Sequence, residues 1–321
     1  MTVPTNTIQA VARVGVREDL SDTIGALFPD DCPFQKAIGT ENATQVFHEW
    51  QTDSLAAANA TNAAIQGDDL SNASRANTVR QGNYSQIMTK VVGSSTTMEA
   101  SRTAGRASEL GRELMKSGRE LRTDAELRFT GNYAAVPPAS GTAGQTAGAL
   151  AFIVTNNDMG ATATAPTYSG GTTVGYPNAA AGNGTQRTYT ETLLKTGLKN
   201  AWIKGGNPRL VITDANHKQI AAGFSGLATQ RRETGDKKAV IVAGADVYVS
   251  DFGEVQFVPS RFCSSRDALG IDPDYWSVAT LDSLKVIDLA KTGLATRKAM
   301  YQEVALVSRN EAASFVIRDL T

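Results

Sequence analysis

The chain is poor in the residues that usually carry chemistry. It has two histidines and two cysteines in 321 residues, and aromatics make up only 7%. Cys32 and Cys263 stand far apart without ligand-like neighbours. That excludes a disulfide framework and makes two reduced thiols the expected state. No apolar run reaches the roughly 18 residues of a membrane-spanning helix. The N-terminal "MTVPTNTIQAVARVGVREDL" lacks the charged-then-apolar layout of a signal peptide. With 31 basic against 32 acidic residues and a net charge of −1, neither a broad basic face for nucleic acid nor an acidic tail is indicated. Much of the apolar content is alanine, so the expected core is thin for the length. The shape is expected to be extended, or to bury surface in assembly.

What is present reads as a succession of unlike parts. Residues 1–40 form an arm, with a short amphipathic piece over Gln9–Leu20 and then "FPDDCPF", where Pro29 and Pro33 oppose a regular helix. Residues 1–60 hold eight acidic and three basic side chains. Residues 44–54 alternate as a strand, with Val46, His48, Trp50 and Thr52 on one face and Phe47, Glu49, Gln51 and Asp53 on the other. After an alanine-rich polar stretch comes a second strand-like run, "YSQIMTKVVGSS" (84–95). Together they predict a long two-stranded excursion, which is marginal alone and needs its own domain or another molecule. From 97 to 130 the pattern is helical, with Leu110, Leu114, Leu121 and Ala125 in one stripe. A helix of about 30 residues is roughly 45 Å long, a beam more than a core element.

Residues 134–187 are Gly/Ala/Thr-rich and nearly uncharged, which predicts a loop-like surface insertion with one strand at "ALAFIVT". Order returns with a helix over Thr190–Lys204, a buried strand "RLVIT", a helix started by Asp214, and short strands "VIVA", "VYVS" and "VQFVP". Further strands lie in "YWSVATL", "MYQEVALVS" and "ASFVIRDL". The fold class is α+β.

The stretches that resemble active sites fail on geometry. In "HEWQTD" a strand turns His48 and Glu49 to opposite faces and sets Glu49 and Asp53 about 13 Å apart. His217 lies one turn after Asp214, where a helix cap followed by an exposed residue is the ordinary reading. "DFG" (251–253) is a turn without the other kinase motifs. Asp272 and Asp274 in "DPDYW" fall in a proline turn, expected to be solvated. Nucleotide-binding loops and nucleophile elbows are absent from the sequence. No catalytic residue, metal ligand or cofactor is expected.

Several stretches, taken together, carry a resemblance: "GVREDLSDTIG…DDCPFQKAIG", "HEWQTDSLAAAN", "SELGRELMKSGRELRTDAELRF", "NPRLVIT", "DVYVSDFGEVQFVPSRF", "DPDYW" and "LAKTGLATRKAMYQEVALVSRNEAASFVI". They span nearly the whole chain outside 134–187. The chain resembles the major capsid proteins of tailed bacteriophages, in the branch found in short-tailed phages. These have the Johnson fold, shared with herpesvirus shell floors and encapsulins.

The resemblance implies a layout and a job. Residues 1–40 would be the N-terminal arm and 41–95 the E-loop. Residues 96–188 would be a peripheral domain, with a spine helix at 97–130 and the insertion at 134–187. Residues 189–285 would be the axial domain, and 286–321 strands returning to the peripheral domain. Copies would assemble as hexamers and pentamers into an icosahedral shell around double-stranded DNA, without sequence-specific binding. Each interface would bury more than about 1,000 Å². His48, Glu49, Trp50, Asp53, Tyr84, Ile87 and Lys90 would make intersubunit contacts through the E-loop. Partners would include a separate scaffolding protein, since the arm starts at Met1, a portal and a decoration protein. Assembly would occur in the host cytoplasm and the product would be the virion. Glu41–Thr89 contains no lysine, so the Lys–Asn weld of some relatives is not expected. An encapsulin-like nanocompartment and a monomeric enzyme or ligand-binding protein are the competing readings.

Overall fold

The computed structural model of the chain describes residue 29 and residues 31–67, 69, 75, 77–101, 108–224 and 247–321. The predicted Gln9–Leu20 piece and the "VIVA" strand lie outside the described residues. Helix α1 (Pro33–Ala37) and strands β1 (Gly39–Asn42), β2 (Phe47–Thr52), β3 (Val79–Tyr84) and β4 (Gln86–Ser95) come first. Helices α2 (Thr96–Ala100), α3 (Glu109–Thr130) and α4 (Ala149–Phe152) follow, then short strands β5 (Asn157–Asp158), β6 (Thr167–Tyr168) and β7 (Pro177–Ala179). Next are α5 (Glu191–Ile203), β8 (Leu210–Thr213), α6 (Ala215–Ala222), β9 (Val247–Ser250), β10 (Gly253–Pro259) and β11 (Ala268–Ile271). The chain closes with β12 (Trp276–Asp288), β13 (Ala295–Ser308) and β14 (Phe315–Ile317).

A six-stranded mixed sheet, in the order β5-β14-β11-β8-β10-β9, is apolar on both sides. Val211, Phe257, Phe315 and Ile317 face a core completed by Leu194, Leu198 and Ala201 of α5. The alternate residues Leu210, Ile212, Leu269, Ile271 and Val316 join a second core with Leu121, Ala125 and Phe129 of α3 and Leu150 and Phe152 of α4. Each such large side chain contributes about 1.5–3 kcal/mol by leaving water. This explains why "RLVIT" reads as an unbroken apolar run. Phe315 fits because two neighbours are glycines. A Cβ on Gly197 would sit 2.5 Å from its ring, and one on Gly270 would overlap it. Thr190 and Asp214 cap α5 and α6 by accepting from Leu193 N and His217 N, as their sequence positions predict.

The second sheet has the order β1-β12-β13-β4, with β1 parallel to β12 and the other pairs antiparallel. α3 packs on one of its faces. The beam expected over 97–130 is broken. α2 ends at Ser101, whose backbone is extended, and α3 starts afresh from Ser108, which accepts from Gly111 N at 3.1 Å. Serine side chains compete for backbone donors and so start helices more readily than they continue them. The 22-residue α3 spans about 33 Å. Of the expected stripe, Leu121 and Ala125 are buried and Leu114 packs against the core, but Leu110 stays half-buried at the first turn.

Four other expectations are corrected. The run 84–95 meets 44–54 only at its start, where Tyr84 stands opposite Phe47 and Ser85 N donates to Val46 O: β2 pairs with β3, and from Gln86 on β4 pairs with β13. Residues 134–187 are not wholly a surface insertion, because Ala147 and Ala149–Ile153 are fully buried and "ALAF" is one helical turn, not a strand. β12 crosses the proposed boundary at 285 and belongs to the four-stranded sheet, while β14 joins the six-stranded one. The 286–321 strands therefore divide between the two sheets. Finally, Pro33 does not prevent a helix, because it occupies the first turn of α1, where a missing N–H costs nothing.

Candidate assembly surface

The β2–β3 ribbon shows how the adjacent His48 and Glu49 are used. Alternation separates His48 from Glu49, as predicted. His48 Nε2 instead lies 3.2 Å from Glu41 Oε1 beside β1, and Glu41 also pairs with Arg309. Glu49 meets Arg80 across the ribbon at 2.5 Å. Trp50 is only 8% exposed. Its Nε1 donates to Gln81 Oε1, whose amide donates onward to Thr173 O, and its ring lies 6.2 Å from that of Phe152. Most of the Trp50 surface is thus spent inside its own subunit. Tyr84 is half-buried, 4.6 Å from the Phe47 ring and 5.1 Å from that of Tyr176, and burial raises its pKa.

The ribbon is rooted through polar groups that the sequence does not advertise. Asn83 Nδ2 donates to Thr146 Oγ1 at 2.8 Å and to Leu306 O at 2.7 Å, while Asn83 Oδ1 accepts from Ala147 N. Ser85 Oγ donates to Glu303 Oε1 at 2.5 Å. These bonds fix the point where the β3–β4 chain passes from one pairing to the other. Lys90 is held by α3, with Nζ 2.9 Å from Asp124 and 3.8 Å from Glu120, and the Asp124 hydrogen bond raises its pKa. This ion pair is made within the subunit, and about a third of the Lys90 side chain stays exposed (32%). Ile87, by contrast, is 62% exposed.

Beyond Thr52 the chain leaves all layers. Residues 53–67 are exposed and lie outside helix and strand, with Leu55 at 99% and Ile65 at 77% exposure. Asp53 accepts from the neighbouring Ser54 N. Among the described residues, no internal contact accounts for these two large aliphatic side chains held in water.

The arm's root is fastened to α3 by a residue that sequence reasoning missed. Glu126 is fully buried and accepts from Phe34 N at 2.7 Å, Gln35 N at 3.0 Å and Gln35 Nε2 at 3.0 Å. Burial raises its pKa, and the donated hydrogen bonds oppose the shift. A carboxylate over the first turn of a helix is the one signal that could have found it, but only once α1 was known. Phe34 itself is fully buried, 6.0 Å from the Trp276 ring.

The other candidates for chemistry are structural. His217 is buried, not exposed as predicted. Its Nδ1 lies 2.6 Å from Asp214 Oδ1, and its ring packs edge-on against Tyr189. Asp272 is also buried, accepting from Asn207 N, while Asp274 remains exposed and pairs with Arg209. Cys32 and Cys263 are buried thiols. Among the described residues no group of three or more His, Cys, Asp or Glu is placed to hold a metal.

The arrangement of two sheets, a helix laid on one of them and a projecting ribbon is similar to solved shells. The capsid of Cyanophage A-1(L) superposes with a TM-score of 0.68 over 98% of this chain and 100% of that one, at 13% identity. The SrpI encapsulin of Synechococcus elongatus PCC 7942 gives 0.57 over 94% and 92%, at 11% identity. At such identities the likeness establishes the fold alone, common to phage capsids and encapsulins. Sequence separates them. The major capsid protein of Escherichia phage Phieco32 is 24% identical over 335 residues, covering 94% of both chains. The family described as SU10 major capsid protein matches residues 3–321. That match spans both sheets, α3 and the ribbon, and it places the chain in the SU10 major capsid protein family, as a structural shell protein of a tailed phage.

Proposed function

We propose that the chain assembles as hexamers and pentamers into an icosahedral shell around double-stranded DNA, with the 53–78 tip lying on a neighbouring subunit. The observation that carries this reading is the tip itself. Leu55 and Ile65 stand in water at the end of a ribbon whose base is tied into the core by Trp50 and Asn83. A rooted base with an apolar, unsupported end fits a contact made with another copy. In this reading Ile87 and Asp53 meet neighbours, while His48 and Glu49 keep their internal partners and hold the ribbon straight.

The near-neutral charge, 31 basic against 32 acidic residues, suits a wall that contains DNA without gripping it. A separate scaffolding protein, a portal and a decoration protein are the further partners of this reading, with assembly in the host cytoplasm. The lysine-free stretch Glu41–Thr89 argues against a covalent weld through the E-loop. Electron microscopy of the purified chain tests the proposal. Shells, rings or sheets are expected, and a preparation of monomers alone would contradict it. A lysine-to-asparagine ladder on a denaturing gel would overturn the non-covalent part.

A further inference from the structure

Among the described residues, β4 is the edge strand of the four-stranded sheet. In antiparallel pairing, residues that bond to the partner strand alternate with residues whose N–H and C=O point away. Thr96 N–H donates to Leu294 O, on the β13 side, and Ser85 N–H donates to Val46 O, on the opposite side. Counting by twos from either end turns Ile87, Thr89, Val91 and Gly93 outward. None of the four has a backbone partner on that side among the described residues.

Natural proteins blunt such edges with proline, a bulge or a lysine. β4 has no proline, and its pairing with β13 runs from Val304/Gln86 to Ala295/Ser95 without a register shift. Its one charged side chain, Lys90, is drawn onto α3 by Asp124 and Glu120. The outward residues also carry their side chains on the face away from α3. There Val91, 53% exposed, lies in one cross-strand row with Ile287, and Ile87 lies on the same face beyond the Thr89–Tyr301–Lys285 row. The edge is ten residues long, free of bulge and proline, and carries two exposed aliphatic side chains.

We infer that β4 is a docking edge, and that its occupant is the 53–59 segment of a second copy, added as a further strand. This rests on the reading of the tip proposed above. The segment lies outside any helix or strand, ends at a turn over residues 60–61, and matches the 87–93 edge in length, each about 23 Å when extended. Extended, it would set Leu55, Ala57 and Asn59 on one face, bringing Leu55 beside Ile87 or Val91. Within one subunit, residues 53–59 do not pair with β4. β2 runs from Phe47, opposite Tyr84 next to β4, to Thr52, opposite Val79 at the far end of the ribbon, so the tip departs away from β4. Backbone bonds would supply affinity and the alternate side chains the register.

Paired cysteines test the contact. In shells of the full chain carrying Leu55→Cys with Ile87→Cys, Thr89→Cys or Val91→Cys, copper-phenanthroline oxidation should give a ladder of disulfide-linked multimers for at least one pair. Lone subunits should give none. The native thiols do not compete, since both are buried and burial pushes Cys32 up to about 11 and Cys263 higher still. In wild-type shells, hydrogen exchange across 86–95 should slow at least about tenfold relative to lone subunits. Shells with neither ladder nor slowed exchange overturn the proposal. Slowed exchange without a ladder overturns the choice of occupant, and a ladder without slowed exchange overturns strand addition. A wild-type chain that forms no shell sinks the underlying reading of the tip instead, so the two failures are told apart.

Discussion

The six-stranded and four-stranded sheets are built from the same kinds of residue, yet they are finished differently. The first is covered on both faces, by α5 on one side and by the core around α3 and α4 on the other, and every residue of β8 and β11 is buried. The second is covered on both faces only at its Trp276–Ser308 end, where Val304–Ser308 are all buried; farther out, the face away from α3 leaves Ile87, Val91 and Ile287 in solvent. A sheet closed on both faces makes its whole contribution to holding the subunit together. A sheet left open keeps part of its apolar surface unspent, and in a capsid protein that surface is available to a neighbour. The thin, alanine-rich core expected from composition is thus unevenly shared: rich around the six-stranded sheet, incomplete around the four-stranded one.

The sharpest way to break this contrast is to damage each sheet in turn. Phe315→Ala removes the ring that fills the space left by Gly197 and Gly270. It is expected to cost the lone subunit about 3–5 kcal/mol in urea unfolding. A loss below about 1 kcal/mol would mean that the closed sheet is not where stability resides.

A smaller effect tests the layer beneath the open sheet. Burial raises the pKa of Glu126, and likewise that of Glu311, which accepts from Val154 N and Thr155 N. A carboxyl whose pKa is higher folded than unfolded takes up protons on folding between those two values, so stability falls as pH rises through that window. The lone subunit should therefore become more stable as pH drops from neutral into the window. Glu126→Gln should remove Glu126's share of that slope. Urea titrations at several pH values measure it, and an unchanged slope in the variant would contradict the assignment.

The smallest effect on folding belongs to the open face. Ile87→Lys should change subunit stability by no more than about 0.5 kcal/mol. The same variant should abolish shells in electron micrographs. Normal shells from Ile87→Lys would show that the bare face is not used.

What was legible in the sequence follows from what is local. β2 could be read because its alternation is set residue by residue, and α5 and α6 because Thr190 and Asp214 supply side-chain caps where helices must begin. The partner of β2 could not. The chain passes from β3 to β4 at Ser85 because Glu303 is brought to Ser85, and Thr146 and Leu306 to Asn83, from distant parts of the chain. "ALAFIVT" misled because a short apolar run is compatible with strand or helix, and its burial beside Trp50 and Trp276 decides for a helical turn. The internal partners of Trp50 and Lys90, Phe152 and Asp124, could not be foreseen because they are far away in sequence. Leu55 and Ile65 could be assigned to the surface only after the ribbon's root was located. Family membership was legible because it draws on many stretches at once, whereas individual contact residues depend on single distances.

The central claim is that the ribbon's tip serves neighbours and not its own subunit. Deleting Leu55–Thr78 tests this most directly, with urea unfolding of the lone subunit and electron microscopy done on the same preparation. The account predicts an unfolding midpoint matching that of the full chain and a complete absence of shells. Normal shells from the deleted chain would contradict it.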